Sequence, residues 1–176
     1  MQPSAEMIAL VEPLIPALRR YARALLRDRE DADDLVQDVL ERALVRWHQR
    51  RRSASVRAWL FTILHNLAMD RLRQRARRGT AETLDAVPEA QLAHPAGQES
   101  AVARADILTL VAALPEEQRS VLLLIAVEDL SYAEAATVLD VPQGTIMSRL
   151  SRARERLRRM MEGESAMTQP ALKIVS

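Results

Sequence analysis

The 176-residue chain contains no cysteine, which excludes a disulfide framework, a thiolate metal site and thiol chemistry together. It has only 4 glycines and few β-branched runs, so its pattern leans strongly towards helix. Its longest apolar run, Val121 to Val127, falls far short of the roughly 20 residues that span a bilayer. The N-terminal MQPSAEMIALVEPLIP lacks a basic segment and is broken by prolines, which makes a poor signal peptide; a cytoplasmic chain with no membrane insertion is expected. The three histidines (His48, His65, His94) are far apart, with neither nucleophile–base nor metal-ligand spacing. No enzymatic activity, metal or cofactor is therefore expected. What remains, 48% hydrophobic and 28% charged residues, is the composition of a soluble globular protein.

Net charge is also scarce, at +1, but that near-balance hides segregation. Residues 31–46 hold Asp31, Asp33, Asp34, Asp38 and Glu41 against Arg42 and Arg46. Residues 47–78 hold nine arginines against Asp70 alone, and residues 79–140 hold eleven acids against two arginines. From Arg149 to Arg159 six arginines crowd into eleven residues, with Glu155 and Glu162 the only acids between residues 141 and 162. Alternating basic and acidic blocks suit a protein that meets nucleic acid with some faces and protein with others. All but one of the basic residues are arginine.

The apolar residues recur at helical spacing. Leu10, Val11, Leu14, Leu18, Tyr21, Ala22, Leu25 and Leu26 predict a helix near 7–27, with Pro13 and Pro16 leaving its start uncertain. Ala32, Leu35, Val36, Val39, Leu40, Ala43, Leu44 and Trp47 predict a second over about 31–49. Val56, Leu60, Ile63, Leu64 and Leu67, widened by Phe61, Ala68 and Leu72, predict a third from about Ser55 to Arg77. Periodicity then fails through GTAETLDAVPEAQLAHPAGQES, too long for an ordinary connection within one domain. The expected fold class is all-α: two small helical domains, 1–78 and 103–162, joined by a flexible linker, 79–102, and followed by a tail, 163–176.

In the second domain a helix is predicted near 102–113, and Pro115, Glu116 and Glu117 suit the start of another. Ser131 and Glu134 form a capping box for AEAATVLD. Asp140-Val141-Pro142 then breaks the chain before VPQGTIMSRLSRARERLRR. A short helix, a tight turn and a second helix describe a helix-turn-helix. In its second helix Ile146, Leu150, Ala153 and Leu157 fall on one buried stripe. Thr145, Ser148, Arg149, Arg152 and Arg156 point elsewhere, a mixture of hydroxyls and guanidiniums suited to phosphates and guanine edges. A solvated face is the bland alternative, but two acids cannot pair with six arginines.

LPEEQRSVLLLIAVEDLSYAEAATVLDVPQGTIMSRLSRARERLRR resembles region 4 of bacterial RNA polymerase sigma factors of the extracytoplasmic-function class. DADDLVQDVLERAL resembles region 2.2 of that family, and SVRAWLFTILHNLAMDRLRQ its regions 2.3 to 2.4. The three motifs stand in family order and cover about residues 7–162. The resemblance implies a sigma factor that binds core RNA polymerase and directs promoter-specific initiation. Its partners would be the polymerase, through the β′ coiled coil and β flap, promoter DNA and an anti-sigma factor.

Carried over residue by residue, Asp34, Leu35, Gln37 and Asp38 match the polymerase-docking positions. Asp31, Asp34, Asp38 and Glu41 also form an acidic ridge by spacing alone. The third helix and the loop His48 to Ser55 would recognise the minus-10 element, with Trp59, Thr62, Asn66, Asp70, Arg73 and Arg77 as candidates. An arginine-lined surface with aromatic neighbours suits single-stranded DNA. Trp47, Trp59 and Phe61 also fall on or near apolar sectors, and Asp70 serves equally as a partner of Arg73. Region 4 would read the minus-35 element through Thr145, Ser148, Arg149, Arg152 and Arg156. Two positions depart from the family pattern: Asp140 stands where glycine is frequent, and Met147 where a basic residue is frequent. The competing reading is a free-standing helix-turn-helix regulator, which uses residues 103–162 and leaves the acidic ridge unused.

Overall fold

The computed structural model describes residues 4–50, 55–79 and 107–168, with side chains up to Glu162 in the last segment. The proposed linker, except Gly79, therefore lies outside the described residues, as do residues 51–54 of the expected DNA-facing loop, the start of the helix expected near 102–113 up to residue 106, and the chain from 169 onward. Every regular element among the described residues is helical. α1 (Ala5–Val11) is followed by a 3₁₀ turn and α2 (Ile15–Leu26), and then by α3 (Arg29–Arg46) and α4 (Val56–Gly79). After a helical stretch at 107–112 (α5) come α6 (Glu116–Leu122), α7 (Tyr132–Leu139) and α8 (Gln143–Thr168).

The expected first helix is divided in two. Pro13 opens the 3₁₀ turn Glu12–Leu14 and Pro16 lies in the first turn of α2. A proline there removes a donor that would be unpaired anyway, so each marks a start rather than a kink. Ser4 caps α1 (Met7 amide to Oγ, 3.2 Å), Asp28 caps α3 (Asp31 amide to carboxylate, 2.9 Å) and Ser55 caps α4 (Ala58 amide to Oγ, 3.2 Å). At the other end α8 continues to Thr168, beyond the expected domain end at 162.

α2, α3 and α4 pack on one another around Leu18, Tyr21, Leu35, Val39, Leu60, Phe61 and Leu64, all fully buried. Tyr21 meets Phe61 edge-on at 5.4 Å between ring centres. In the second half α6 and α7 pack on α8 around Val121, Leu124, Ala135, Ile146, Leu150 and Ala153. The two expected domains pack on each other: α7 lies against α4, α6 approaches α2, and the buried apolar residues form one continuous cluster.

The seam between the halves is polar where arginines of the first reach acceptors of the second. Residues Leu123–Val127 form a π-turn, with the Glu128 amide donating to the Leu123 carbonyl at 3.0 Å. This widened turn delivers Glu128 to a position only 1% exposed, where Arg20 donates to both carboxylate oxygens at 2.8 and 3.2 Å. Arg57 donates to the Glu128 carbonyl, and both Arg27 and Arg119 to the Ala112 carbonyl. Beside them the Tyr21 hydroxyl lies 3.1 Å from His65 Nδ1. Burial raises the pKa of Tyr21, only partly opposed by the neighbouring Ser120 hydroxyl. Burial also lowers that of His65 to about 4, so at neutral pH a neutral tyrosine and a neutral imidazole share this hydrogen bond.

Candidate polymerase and nucleic-acid interfaces

α3 buries Ala32, Leu35, Val36, Val39 and Ala43 and turns its acids outward or sideways. Leu35, expected at a polymerase-docking position, is fully buried and holds the helix in place. The acidic ridge is also narrower than its spacing predicts. Asp31 and Asp38 face α4, where Arg71 bridges them at 2.5 and 2.6 Å and Arg75 also donates to Asp31. Asp34, Gln37 and Glu41 stay exposed, with Gln37 donating to Glu41 at 3.1 Å. Asp33 is taken by Arg23 at 3.0 Å. The sequence shows these acids and arginines, but not that α3 and α4 bring residues roughly forty apart into contact.

Beside this face lies an apolar groove between α1, α2 and α3, lined by Met7, Ile8, Val11, Ile15, Leu40 and Leu44. Glu12 and Glu41 edge it.

On α4, Asn66 is exposed and Thr62 is half-buried, its hydroxyl donating to the Ala58 carbonyl at 2.8 Å. Asp70 pairs with Arg73 at 2.5 Å, the intramolecular option open from the sequence. Arg77 is exposed near the end of the helix. Trp59 is half-buried and meets the buried Trp47 edge-on at 6.0 Å, while Arg50 stacks over Trp47 at 4.5 Å. Phe61 is wholly in the core. The aromatics thus brace the start of α4, with Trp59 alone of these three partly open to solvent.

The helix-turn-helix forms as its sequence requires. Ser131 accepts from the Glu134 amide (3.2 Å) and the Glu134 carboxylate accepts from the Ser131 amide (3.0 Å), completing the capping box. The Ser131 backbone donor is the main reason the Glu134 carboxyl sits below its usual range. α7 ends at Asp140, whose backbone is left-handed at φ 51°, ψ 49°. Asp tolerates that conformation, which glycine would adopt without strain.

α8 buries Ile146, Leu150 and Ala153, with Leu157 half-buried, and turns its arginines outward. Arg149 is the exception: only 20% of its side chain is exposed, and it pairs with Glu117 of α6 at 2.9 Å. Arg149, expected at a DNA-contacting position, thus joins α6 to α8 in this structure. Ser148 Oγ donates to the Thr145 carbonyl at 3.1 Å, and Thr145 is half-buried. Arg158 pairs with Glu155 and Glu162, and Arg159 with Glu155. Hydrogen bonds from Arg158 hold the Glu155 carboxyl below its usual range. Arg152, Arg154 and Arg156 are exposed and enter none of the ion pairs found among the described residues. Met147, 56% exposed, stands among them.

Comparison with known proteins accounts for both halves. Residues 11–65 match the family described as the Sigma2 domain of PhyR, and residues 104–157 match Sigma-70, region 4. The chain is similar to the ECF RNA polymerase sigma factor EcfG of Rhodopseudomonas palustris, 34% identical over 152 residues covering 86% of this chain and 83% of the relative. It is also similar to the ECF RNA polymerase sigma factor SigM of Mycobacterium tuberculosis, 37% identical over 144 residues, 82% of this chain and 71% of that one. Among solved structures it resembles the sigma factor RpoE of Bartonella quintana in complex with the anti-sigma factor NepR. The TM-score is 0.70 at 31% identity, covering 88% of this chain and 98% of that one. CnrH in complex with the cytosolic domain of CnrY gives a TM-score of 0.66 at 27% identity, covering 88% and 86%. A free-standing regulator would leave residues 11–65 unexplained, whereas both halves are accounted for together here. With its acidic α3, polar α4 and arginine-bearing helix-turn-helix in this order, the chain belongs to the ECF RNA polymerase sigma factors.

Proposed function

We propose that the first helical unit docks this sigma factor on core RNA polymerase and receives the minus-10 element, while the second reads the minus-35 element. The segregation of charge supports this division. α3 offers exposed Asp34, Gln37 and Glu41 to a basic partner, and α8 offers the exposed arginines 152, 154 and 156 to phosphates. On α4, Asn66 is the base-contact candidate, with Thr62, Arg73 and Arg77 along the same helix. The polymerase performs the chemistry; this chain supplies recognition and duplex opening, with no cofactor, in the cytoplasm. An anti-sigma protein holds it inactive, as the anti-sigma factor NepR accompanies the similar sigma factor RpoE.

Reaching both elements requires the halves to separate. Their centres lie roughly 25 base pairs apart, about 85 Å at 3.4 Å per step. A compact body of this length has a radius of gyration of only about 16 Å.

Transcription in vitro by core polymerase plus this chain, over a library of randomised promoters, tests the reading. Enrichment of one bipartite element is expected, and loss of transcription with Asp34→Arg through weaker binding to core. No complex with core polymerase refutes it.

A further inference from the structure

We propose that Met147 reads a base, and that what it recognises is the C5-methyl group of a thymine in the minus-35 duplex. The inference rests on the assignment of α8 as the groove-entering helix.

Met147 lies in the second turn of α8, the part of a recognition helix that meets base edges. Its burial is not needed for folding: Ile146, Leu150 and Ala153 already supply the buried stripe, and Met147 is 56% exposed. Met147 and Tyr132, 56% and 41% exposed, adjoin as a small apolar patch on this otherwise polar face. Hydrogen-bonding neighbours are meanwhile withdrawn. Arg149 is bound to Glu117 at 2.9 Å, and Ser148 donates to its own helix at 3.1 Å.

The direction of Met147 selects the ligand. At about 100° per residue, Met147 and Arg149 leave α8 on opposite flanks of the outward face. Arg149 turns towards α6, where it meets Glu117. Met147 turns towards α7 and shares a shallow groove with Tyr132, the first residue of that helix. In a helix-turn-helix the first helix crosses a strand's backbone while the second lies in the groove. Met147 therefore stands between the base edges and the backbone that α7 approaches. The thymine methyl projects there, on the side of its base nearest its own strand, and it is the one apolar group among the base edges of the major groove. A flexible thioether adapts its shape to such a group. Arg154, exposed on the same groove and in none of the ion pairs described, complements the adjoining phosphates. These features favour DNA over an apolar protein segment as the occupant.

Replacing thymine by deoxyuridine removes the methyl and nothing else. The complex of core polymerase with the full chain is first used to select a minus-35 duplex from a randomised pool. Each thymine, on either strand, is then replaced singly. The expected result is one position where loss of the methyl weakens binding about three- to fivefold, the worth of one buried methyl-sized group. With Met147→Ala that position becomes indifferent to the methyl, and with Met147→Leu the preference survives. Circular dichroism of both variants should match the parent. No methyl dependence at any thymine, or its persistence in Met147→Ala, overturns the proposal. Equal weakening of Met147→Ala on all templates with the thymine-to-deoxyuridine ratio retained also overturns it, and makes this face a protein contact. Failure to select any duplex refutes the minus-35 assignment of α8 itself, a result distinct from the others.

Discussion

Removing Arg20 should open the seam between the two halves, because it leaves the Glu128 carboxylate without a cation in a site that excludes water. The Glu128 side chain is 0% exposed, and Arg20, 56% exposed, is its salt-bridge partner among the described residues. Breaking a buried pair from one side costs about 3–5 kcal/mol. Since the guanidinium is half in water, its attraction is screened and the cost of Arg20→Ala falls to about 2–3 kcal/mol. Glu128→Gln keeps the shape and an acceptor oxygen but removes the charge, at about 1 kcal/mol. The double variant should cost little more than Glu128→Gln alone, because no buried charge is then abandoned. The coupling is about 2 kcal/mol, as expected for residues in direct contact. At 2–4 °C per kcal/mol for a protein of this size, Arg20→Ala should melt roughly 4–12 °C lower. Thermal unfolding followed by far-ultraviolet circular dichroism gives all three numbers, and small-angle scattering reports separation of the halves. Strict additivity, or an Arg20→Ala cost within about 0.5 kcal/mol of zero as at an ordinary surface site, would refute the reasoning.

His65 makes stability depend on pH. Its folded pKa of about 4 lies below the ordinary 6.5, so the unfolded chain binds the extra proton first. Its contribution is complete above about pH 6.5 and is lost as pH falls towards 4, by about 3 kcal/mol in all. The difference in unfolding free energy between the parent and His65→Gln should therefore change across that window and stay constant above it. Asp140→Gly should raise stability by up to about 1 kcal/mol in urea unfolding, and Asp140→Ala should lower it, because the φ of 51° strains a side chain. Arg152→Ala or Arg156→Ala should weaken duplex binding evenly across sequences and lower the salt-dependence slope by about 1. Arg149→Ala should instead loosen the α6–α8 contact, costing up to about 1 kcal/mol of stability; a selective loss of one base preference would contradict that role.

Much of the architecture was legible in the sequence because helices are local. The 3.6-residue spacing of apolar side chains identified α2, α3, α4 and α8, and Ser131 with Glu134 announced the start of α7 by a bond spanning three residues. The left-handed turn at Asp140 follows from the glycine frequent there in the resembling family together with the tolerance of Asp for that backbone. The proline positions were visible too, but whether they shorten one helix or divide two depends on how α1 packs. Site residues were less legible, since spacing shows which face a residue occupies and not what the face meets. Asp31 and Asp38 belong to the acidic ridge by spacing, yet α4 claims them through Arg71. Arg149 belongs to the arginine face by spacing, yet Glu117 claims it.

The sequence by itself determined the helical class, the capped helix-turn-helix and the alternation of acidic and basic faces. These follow from steric preference, periodicity and net charge, all of which act within a few residues. Tertiary structure alone decided that the two domains pack on each other and that Glu128 is buried opposite Arg20, 108 residues away. It also decided which arginines remain free for phosphate and that Met147 stands exposed beside Tyr132. An ion pair or an exposed thioether is a property of two surfaces brought together, and no local pattern encodes the partner.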